Sequence, residues 1–341
     1  MESYFEDKWQ KMDKDEPNIS KFLSIGKKIC LYDLGSAGGI PPPFCWIAEG
    51  IDLVNFEPDL RSNSDVTGNT MPVAIGTKGM RKIYLNQRKY TSSLLKPYRP
   101  IINRYDFSRI FKNGGDIFHT VETVDVDTYG LDEIIKLRNL PLPDFLKIDV
   151  QGLSLEVLET AERCLLESVI GVQIEVEFLE IYEGQKTFDV IHRHLYKMGF
   201  EIFRLSNLNK WYYKTSLPLK LYSGQHIFCD LLYLRSIDSL ENKYHFWNTE
   251  RATKAVKLFL LYDLTDTAAA FLEKMTSKNI IPVEKARDLK IMVVEWEGAL
   301  RNFYIHKEQT RDIWKRRILD FNLRKLLHLY RHSLARLRDH L

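Results

Sequence analysis

The sequence predicts an α/β fold, a doubly wound and mostly parallel sheet with an antiparallel last strand, followed by an α-helical C-terminal region. Three observations carry that reading. From Lys28 to Arg235, short apolar runs rich in β-formers alternate with stretches of helical periodicity, the pattern of strands joined by crossover helices. The first of these runs ends in an acid and a glycine cluster, Asp33-Leu-Gly-Ser-Ala-Gly-Gly39, where such sheets turn sharply from strand to helix. Beyond residue 245 strand signals stop and helical patterns take over.

Residues 1–28 read as an N-terminal helical segment. Its start, Met1-Glu-Ser-Tyr-Phe-Glu-Asp, carries acids where a secretory signal needs a basic start and an apolar stretch. The strands follow at Lys28–Leu34, Leu53–Phe56, Met71–Ile75, Phe145–Val150, Val172–Phe178 and Glu201–Leu205, with Asp230–Arg235 last, after a long loop. Arg81–Leu85 and Thr120–Asp127 alternate in character and flank Gly114-Gly115, which predicts added hairpin or edge strands. Leu153–Glu167 places Leu155, Leu158, Ala161, Leu165 and Leu166 on one helical face, and Phe188–Met198 does the same before Gly199. Ala252–Tyr262, Thr265–Ser277 and Val283–His306 are the helices of the C-terminal region, punctuated by Asn279 and Pro282.

Composition narrows the functional classes. With 45% hydrophobic and 28% charged residues, the chain resembles ordinary globular proteins. A formal net charge of +3 is too small to demand a polyanion, so no nucleic acid is expected. Cys30, Cys45, Cys164 and Cys229 form neither a close pair nor a zinc pattern and read as reduced core thiols. No metal site is expected. No run approaches the ~20 apolar residues of a bilayer span, and a cytoplasmic location is the resulting expectation.

The glycine loop implies a nucleoside ligand. After Asp33, the segment Gly35, Ser36, Ala37, Gly38, Gly39 lets the backbone approach a ligand closely, and Pro41 to Pro43 suit the entry of a helix. The second strand ends in Phe56-Glu57-Pro58-Asp59, setting an acid about 20 residues beyond the glycines, where a ribose diol lies. A dinucleotide fingerprint starting at Gly35 needs further glycines where this chain has Ala37 and Ile40, which disfavours NAD. S-adenosylmethionine fits better, needing a loop for its methionine portion, an acid for its ribose and an apolar slot for adenine. Asp33, Gly35 to Gly39, Glu57, Pro58, Ala74 and Ile75 are the candidate cofactor residues, together with Asp149.

These motifs resemble the FkbM-type methyltransferase family. The resemblance runs from Asp33 to Arg235 through Asp33-Leu-Gly-Ser-Ala-Gly-Gly, Phe56-Glu57-Pro58-Asp59, Pro72-Val-Ala-Ile-Gly76, Thr91-Ser-Ser-Leu-Leu95 and Asp144-Phe-Leu-Lys-Ile-Asp-Val-Gln-Gly152. Leu155-Glu-Val-Leu158, Glu175-Val-Glu-Phe178, Tyr182-Glu-Gly-Gln185 and Asp230-Leu-Leu-Tyr233 complete it. The family's central Asp-x-Glu-Gly-x-Glu becomes Asp149-Val-Gln151-Gly-Leu-Ser154 here, which weakens any carboxylate or metal cluster there. The element order divides the chain into a Rossmann-like domain over 29–238 and a helical region over 246–341, and the resemblance implies that the first is a methyltransferase that O-methylates a sugar, glycan or polyketide-like acceptor.

Methyl transfer needs an acceptor oxygen held about 3–3.5 Å from the methyl carbon and removal of the hydroxyl proton. Asp149, at the carboxyl end of the fourth strand, is the first candidate, with Gln151 binding acceptor or cofactor and Glu175 facing the acceptor. A helix-capping Asp149 is the competing structural reading. His119 and His226 are alternative bases, and Lys147 is expected to pair with Asp149. A non-catalytic nucleoside-binding or assembly module, or less readily a NAD-dependent oxidoreductase, stays open. Finally, Leu319, Leu323, Leu327, Tyr330, Leu334, Leu337 and Leu341 form an apolar helical stripe flanked by arginines. That stripe is expected to pack on the body or on a second copy, with peripheral membrane contact as the alternative.

Overall fold

The computed structural model describes residues 26–301, apart from 36–38, 60, 62–69, 112–114, 220 and 238–245. The N-terminal helical segment up to residue 25 and the apolar stripe from Leu319 lie outside the described residues. In chain order the strands are β1 (Ile29–Leu34), β2 (Ile51–Phe56), β3 (Thr70–Met71), β4 (Ala74–Ile75), β5 (Gly79–Asn86) and β6 (Thr120–Tyr129). They continue with β7 (Phe145–Ile148), β8 (Gly171–Glu177), β9 (Phe200–Trp211) and β10 (Gln225–Arg235).

Seven of them form the main sheet in the order β3-β2-β1-β7-β8-β10-β9. The β1/β2, β2/β3, β1/β7 and β7/β8 pairs are parallel, whereas β10 runs antiparallel to both β8 and β9. The chain therefore leaves β1 in one direction and returns to β7 on its other side. That reversal opens a crevice at the carboxyl ends of β1 and β7, the place where open α/β sheets bind ligands.

Three elements differ from their expected form. Met71–Ile75 is not one strand: Pro72 has no N–H for a ladder, so β3 joins β2 while β4 joins a second sheet of order β4-β6-β5. Instead of an α-helix after the glycine loop, there is a 3-10 segment, Phe44–Gly50, whose entry carries three successive prolines. The expected helix Leu153–Glu167 breaks into Ser154–Glu159 and Glu162–Glu167. The break is capped from far away, because the Asp132 carboxylate accepts from the N–H groups of Arg163 and Cys164 at 2.6 and 3.0 Å.

Alternating side chains send each strand's apolar residues to opposite faces. Cys30, Tyr32, Leu34, Leu146, Ile148, Val172 and Ile174 pack on one face against helices α1 (Leu131–Leu137), α2 (Ser154–Glu159), α3 (Glu162–Glu167) and α4 (Phe188–Lys197). Ile29, Leu31, Phe145, Ile170, Leu232 and Leu234 pack on the other, against α5 (Thr249–Leu261), α6 (Thr265–Ser277) and the helix at 283–301. The helical C-terminal region is thus the second covering layer of the sheet. Polar ties fix it there: Lys254 Nζ meets Asp144 Oδ2 at 2.7 Å, and the Tyr262 hydroxyl donates to Gln173 Oε1 at 2.8 Å. Among the described residues, no helix is long and apolar enough to cross a membrane.

Candidate active site

At the switch point, backbone closeness dictates the sequence. Gly35 has φ +81°, and a Cβ there would lie 2.0 Å from the Asp149 carbonyl oxygen. No other residue fits that approach without shifting the chain. The Gly35 N–H donates to Phe56 O and the Asp149 N–H to Leu34 O, each at 2.9 Å, so the ends of β1, β2 and β7 are knit into one floor. Above it opens a cavity lined by residues from the ends of β1, β2, β4 and β7, at the place where this architecture binds its ligands.

One wall of this cavity is polar and begins at β2. Glu57 is 8% exposed, and its Oε1 accepts from the Asp59 N–H at 2.7 Å. Burial pushes its carboxyl up to about 7, against that hydrogen bond and helped by the charges of Asp59, Asp33 and Asp149. Asp59 takes a two-pronged ion pair from Arg61, closest at 2.6 Å, and Arg61 also reaches Asn86 O and Ser92 Oγ. The opposite wall is apolar, with Val73, Ala74, Ile75, Ile83, Leu94 and Leu153, and Tyr90 stands half exposed at its edge. The glycine cradle, the buried acid and the apolar slot are the three features S-adenosylmethionine requires, so the residues present fit that cofactor.

Beside the cavity lies a group of acids at the carboxyl ends of β7 and β8. The Gln151 amide nitrogen donates to Asp149 Oδ1 and to Glu175 Oε1, each at 2.8 Å. Gln151 Oε1 in turn accepts from the Tyr182 hydroxyl at 2.9 Å, while Ser93 Oγ donates to the Gln151 carbonyl at 2.6 Å. Glu175 is held well above the usual carboxylate range by burial and by the charges of Asp149, Glu177 and Asp230, with the Gln151 amide acting against them. Burial and Asp149 also push Glu177 up to about 8 and Asp230 up to about 6.

The candidate residues separate accordingly. Gly35, Glu57, Pro58, Ala74, Ile75, Asp149 and Gln151 line the cavity, and Glu175 adjoins it through Gln151. Gly39 is described but does not line it, and Ser36, Ala37 and Gly38 lie outside the described residues. Asp33 is buried and bound to Lys147 Nζ at 3.1 Å, so its carboxylate is not part of the cavity wall. The expected Lys147–Asp149 pair gives way to this one because Asp33 is the directly adjacent residue on β1, nearer than a residue two along the same strand. Asp33 and Asp149 together raise the Lys147 pKa despite its burial. Nor does Asp149 cap a helix: α2 starts after Leu153 with no side-chain cap. His119 and His226 are exposed and neither lines the cavity. Arg61, Ser93 and Tyr182 were not singled out from sequence. The blocks Thr91–Leu95 and Tyr182–Gln185 were the signal that pointed to the last two.

Residues 45–202 match a family model described as the methyltransferase FkbM domain. No curated protein matches the chain. Among solved structures, a precorrin-6y C5,15-methyltransferase from Geobacter metallireducens GS-15 is similar at 11% identity, covering 64% of this chain and 85% of that one with a TM-score of 0.29. A magnesium protoporphyrin IX methyltransferase from Synechocystis PCC 6803, solved with bound S-adenosylmethionine, is similar at 10% identity over 67% of this chain and 79% of that one, also at 0.29.

Proposed function

We propose that the chain, whose residues 45–202 match the methyltransferase FkbM domain, uses S-adenosylmethionine to O-methylate a neutral, polyhydroxylated acceptor such as a sugar or glycan. The observation that carries this reading is the Gln151 amide bridging Asp149 and Glu175 beside the cofactor cavity. When bound, S-adenosylmethionine supplies an electrophilic methyl group. Gly35 would hold its amino-acid portion by close backbone approach, Glu57 would accept hydrogen bonds from its ribose hydroxyls, and the Val73 to Ile75 wall would cover its adenine.

Asp149 Oδ accepts the proton of the acceptor hydroxyl and orients that hydroxyl toward the cavity. Gln151 holds Asp149 in place, and Glu175 takes a second hydrogen bond from the acceptor or carries a proton of its own. Asp149, Glu175, Glu177 and Asp230 lie close enough to perturb one another. Carboxyl groups so crowded, several of them holding a proton near neutral pH, offer both donors and acceptors to the hydroxyls of a neutral acceptor, each bond to an ionised member contributing about 1.5–3 kcal/mol.

Incubation of the full chain with methyl-labelled S-adenosylmethionine and fractionated host glycans and small molecules tests the reading. Label in a neutral glycan that survives mild alkaline hydrolysis, as a methyl ether does and a methyl ester does not, supports it. Label confined to amines, carboxylates or nucleic acid contradicts it, and tight adenosylhomocysteine binding without transfer to any fraction favours a non-catalytic module.

A further inference from the structure

The Tyr182-Glu-Gly-Gln185 segment has no part in the reading above except through one hydroxyl. Tyr182 is 1% exposed, and its OH lies 2.9 Å from Gln151 Oε1 and 2.9 Å from the Thr91 carbonyl oxygen; its one proton serves Gln151 Oε1, since the Thr91 carbonyl already accepts from Asn86 Nδ2 at 2.5 Å. The turn that carries it is fixed from within, since Gln185 Oε1 accepts from the Ile181 and Tyr182 N–H groups at 2.9 and 3.0 Å. The ring lies across the Gln151-Gly152 turn so closely that a Cβ on Gly152 would sit 3.0 Å from Tyr182 Cδ2. Gln151 itself has φ +49° and Gly152 φ +91°, a left-handed pair that a residue other than glycine adopts at a cost. The chain thus accepts a strained backbone at Gln151 in order to hold this amide where it is.

An amide is nearly symmetric in shape and opposite in polarity at its two ends. Turned over, it would present its carbonyl oxygen to Asp149 and Glu175. We infer that Tyr182 is a positioning residue: by donating to Gln151 Oε1, it fixes the amide with its NH2 group toward the Asp149 and Glu175 carboxylates. Its catalytic meaning rests on the function proposed above, whereas the contact itself does not. The groups that face this network are Lys147 and Asp33 from β7 and β1, Glu177 from β8, Asp230 from β10 and Glu57 from the end of β2. They are the same in wild type and in a Tyr182→Phe protein, so a difference between the two reports the hydroxyl.

The test needs no acceptor and is therefore independent of whether one is found. In full-length protein labelled with 15N-glutamine, the Gln151 side-chain signal is identified by its loss in Gln151→Met. In wild type both amide protons are expected to exchange slowly and to shift as the neighbouring, mutually coupled carboxyl groups ionise. In Tyr182→Phe, exchange is expected to quicken by about tenfold or more as the amide is freed to open. The titration midpoint is expected to rise by about one pH unit, because N–H donation to a carboxylate favours its charged form. A thermal melt confirms that the variant is folded. Unchanged exchange and an unchanged midpoint in folded Tyr182→Phe overturn the inference, since the carboxylates alone would then hold the amide. If Tyr182→Phe does not fold, the 13Cζ resonances of labelled tyrosines give the reciprocal reading in wild type and Gln151→Met. A shift confined to one buried tyrosine supports the contact, and no shift overturns it.

Discussion

At Glu57 the chemistry of a single carboxyl predicts how cofactor capture responds to pH. Burial places its pKa at about 7 in the free protein, and ribose hydroxyls donate best to the ionised form. Binding therefore draws the proton off. Adenosylhomocysteine affinity is expected to rise between pH 6 and 8, with proton release visible as a dependence of calorimetric heat on the buffer's ionisation enthalpy. Glu57→Gln keeps the size but cannot ionise, and is expected to lose about one to two decades of affinity and most of that pH dependence. Proton-neutral binding by wild type would count against the assignment. Glu57 and Gly35 were legible in the sequence because a strand end fixes where one side chain goes. The partner of Lys147 was not legible, because Asp33 is adjacent to it only after β1 and β7 pair.

Elements explain where the C-terminal helices sit. Lys254 on α5 and Asp144 before β7 form a buried pair, and Asp144 Oδ2 also accepts from the Cys30 N–H at 2.8 Å. Burial raises the Asp144 pKa, opposed by the Lys254 charge and hydrogen bonds. Removing the lysine leaves a buried carboxylate without its cation, so Lys254→Ala is expected to lower stability by about 3–5 kcal/mol in urea unfolding. Asp144→Asn paired with Lys254→Met is expected to recover part of it. A loss under about 1 kcal/mol in Lys254→Ala would mean the pair behaves as an exposed one. Periodicity revealed that these helices exist and left open where they pack, because an apolar face does not name its partner. The same blindness hid the break at Thr160, which is capped by Asp132 from a different helix, and the division of Met71–Ile75 between two sheets.

For the whole molecule, the acids gathered at one end of the sheet set how stability varies with pH. Glu57, Glu177 and Asp230 have folded values of about 7, 8 and 6, above their unfolded values. Their contribution is fully present below an unfolded pKa of about 4 and is lost as pH rises through the folded values. The cofactor-free protein is thus expected to melt at progressively lower temperature from pH 5 to pH 8.5. Glu177→Gln is expected to flatten the upper part of that slope, whatever it does to the stability at any one pH. A wild-type melting temperature that climbs over this range would contradict the electrostatic account of the site.

The same crowding of acids makes Asp149 the residue on which the account turns, since it touches the cofactor floor, the Gln151 amide and the cavity. Asp149→Asn preserves size and removes charge and basicity. With the acceptor identified by label transfer, single-turnover methylation by this variant is the most direct measurement. The rate is expected to fall by about 10²–10⁴-fold, while adenosylhomocysteine affinity and melting temperature stay near wild type. A folded Asp149→Asn protein that methylates at a near-normal rate would contradict proton removal by Asp149 and leave positioning alone to account for catalysis.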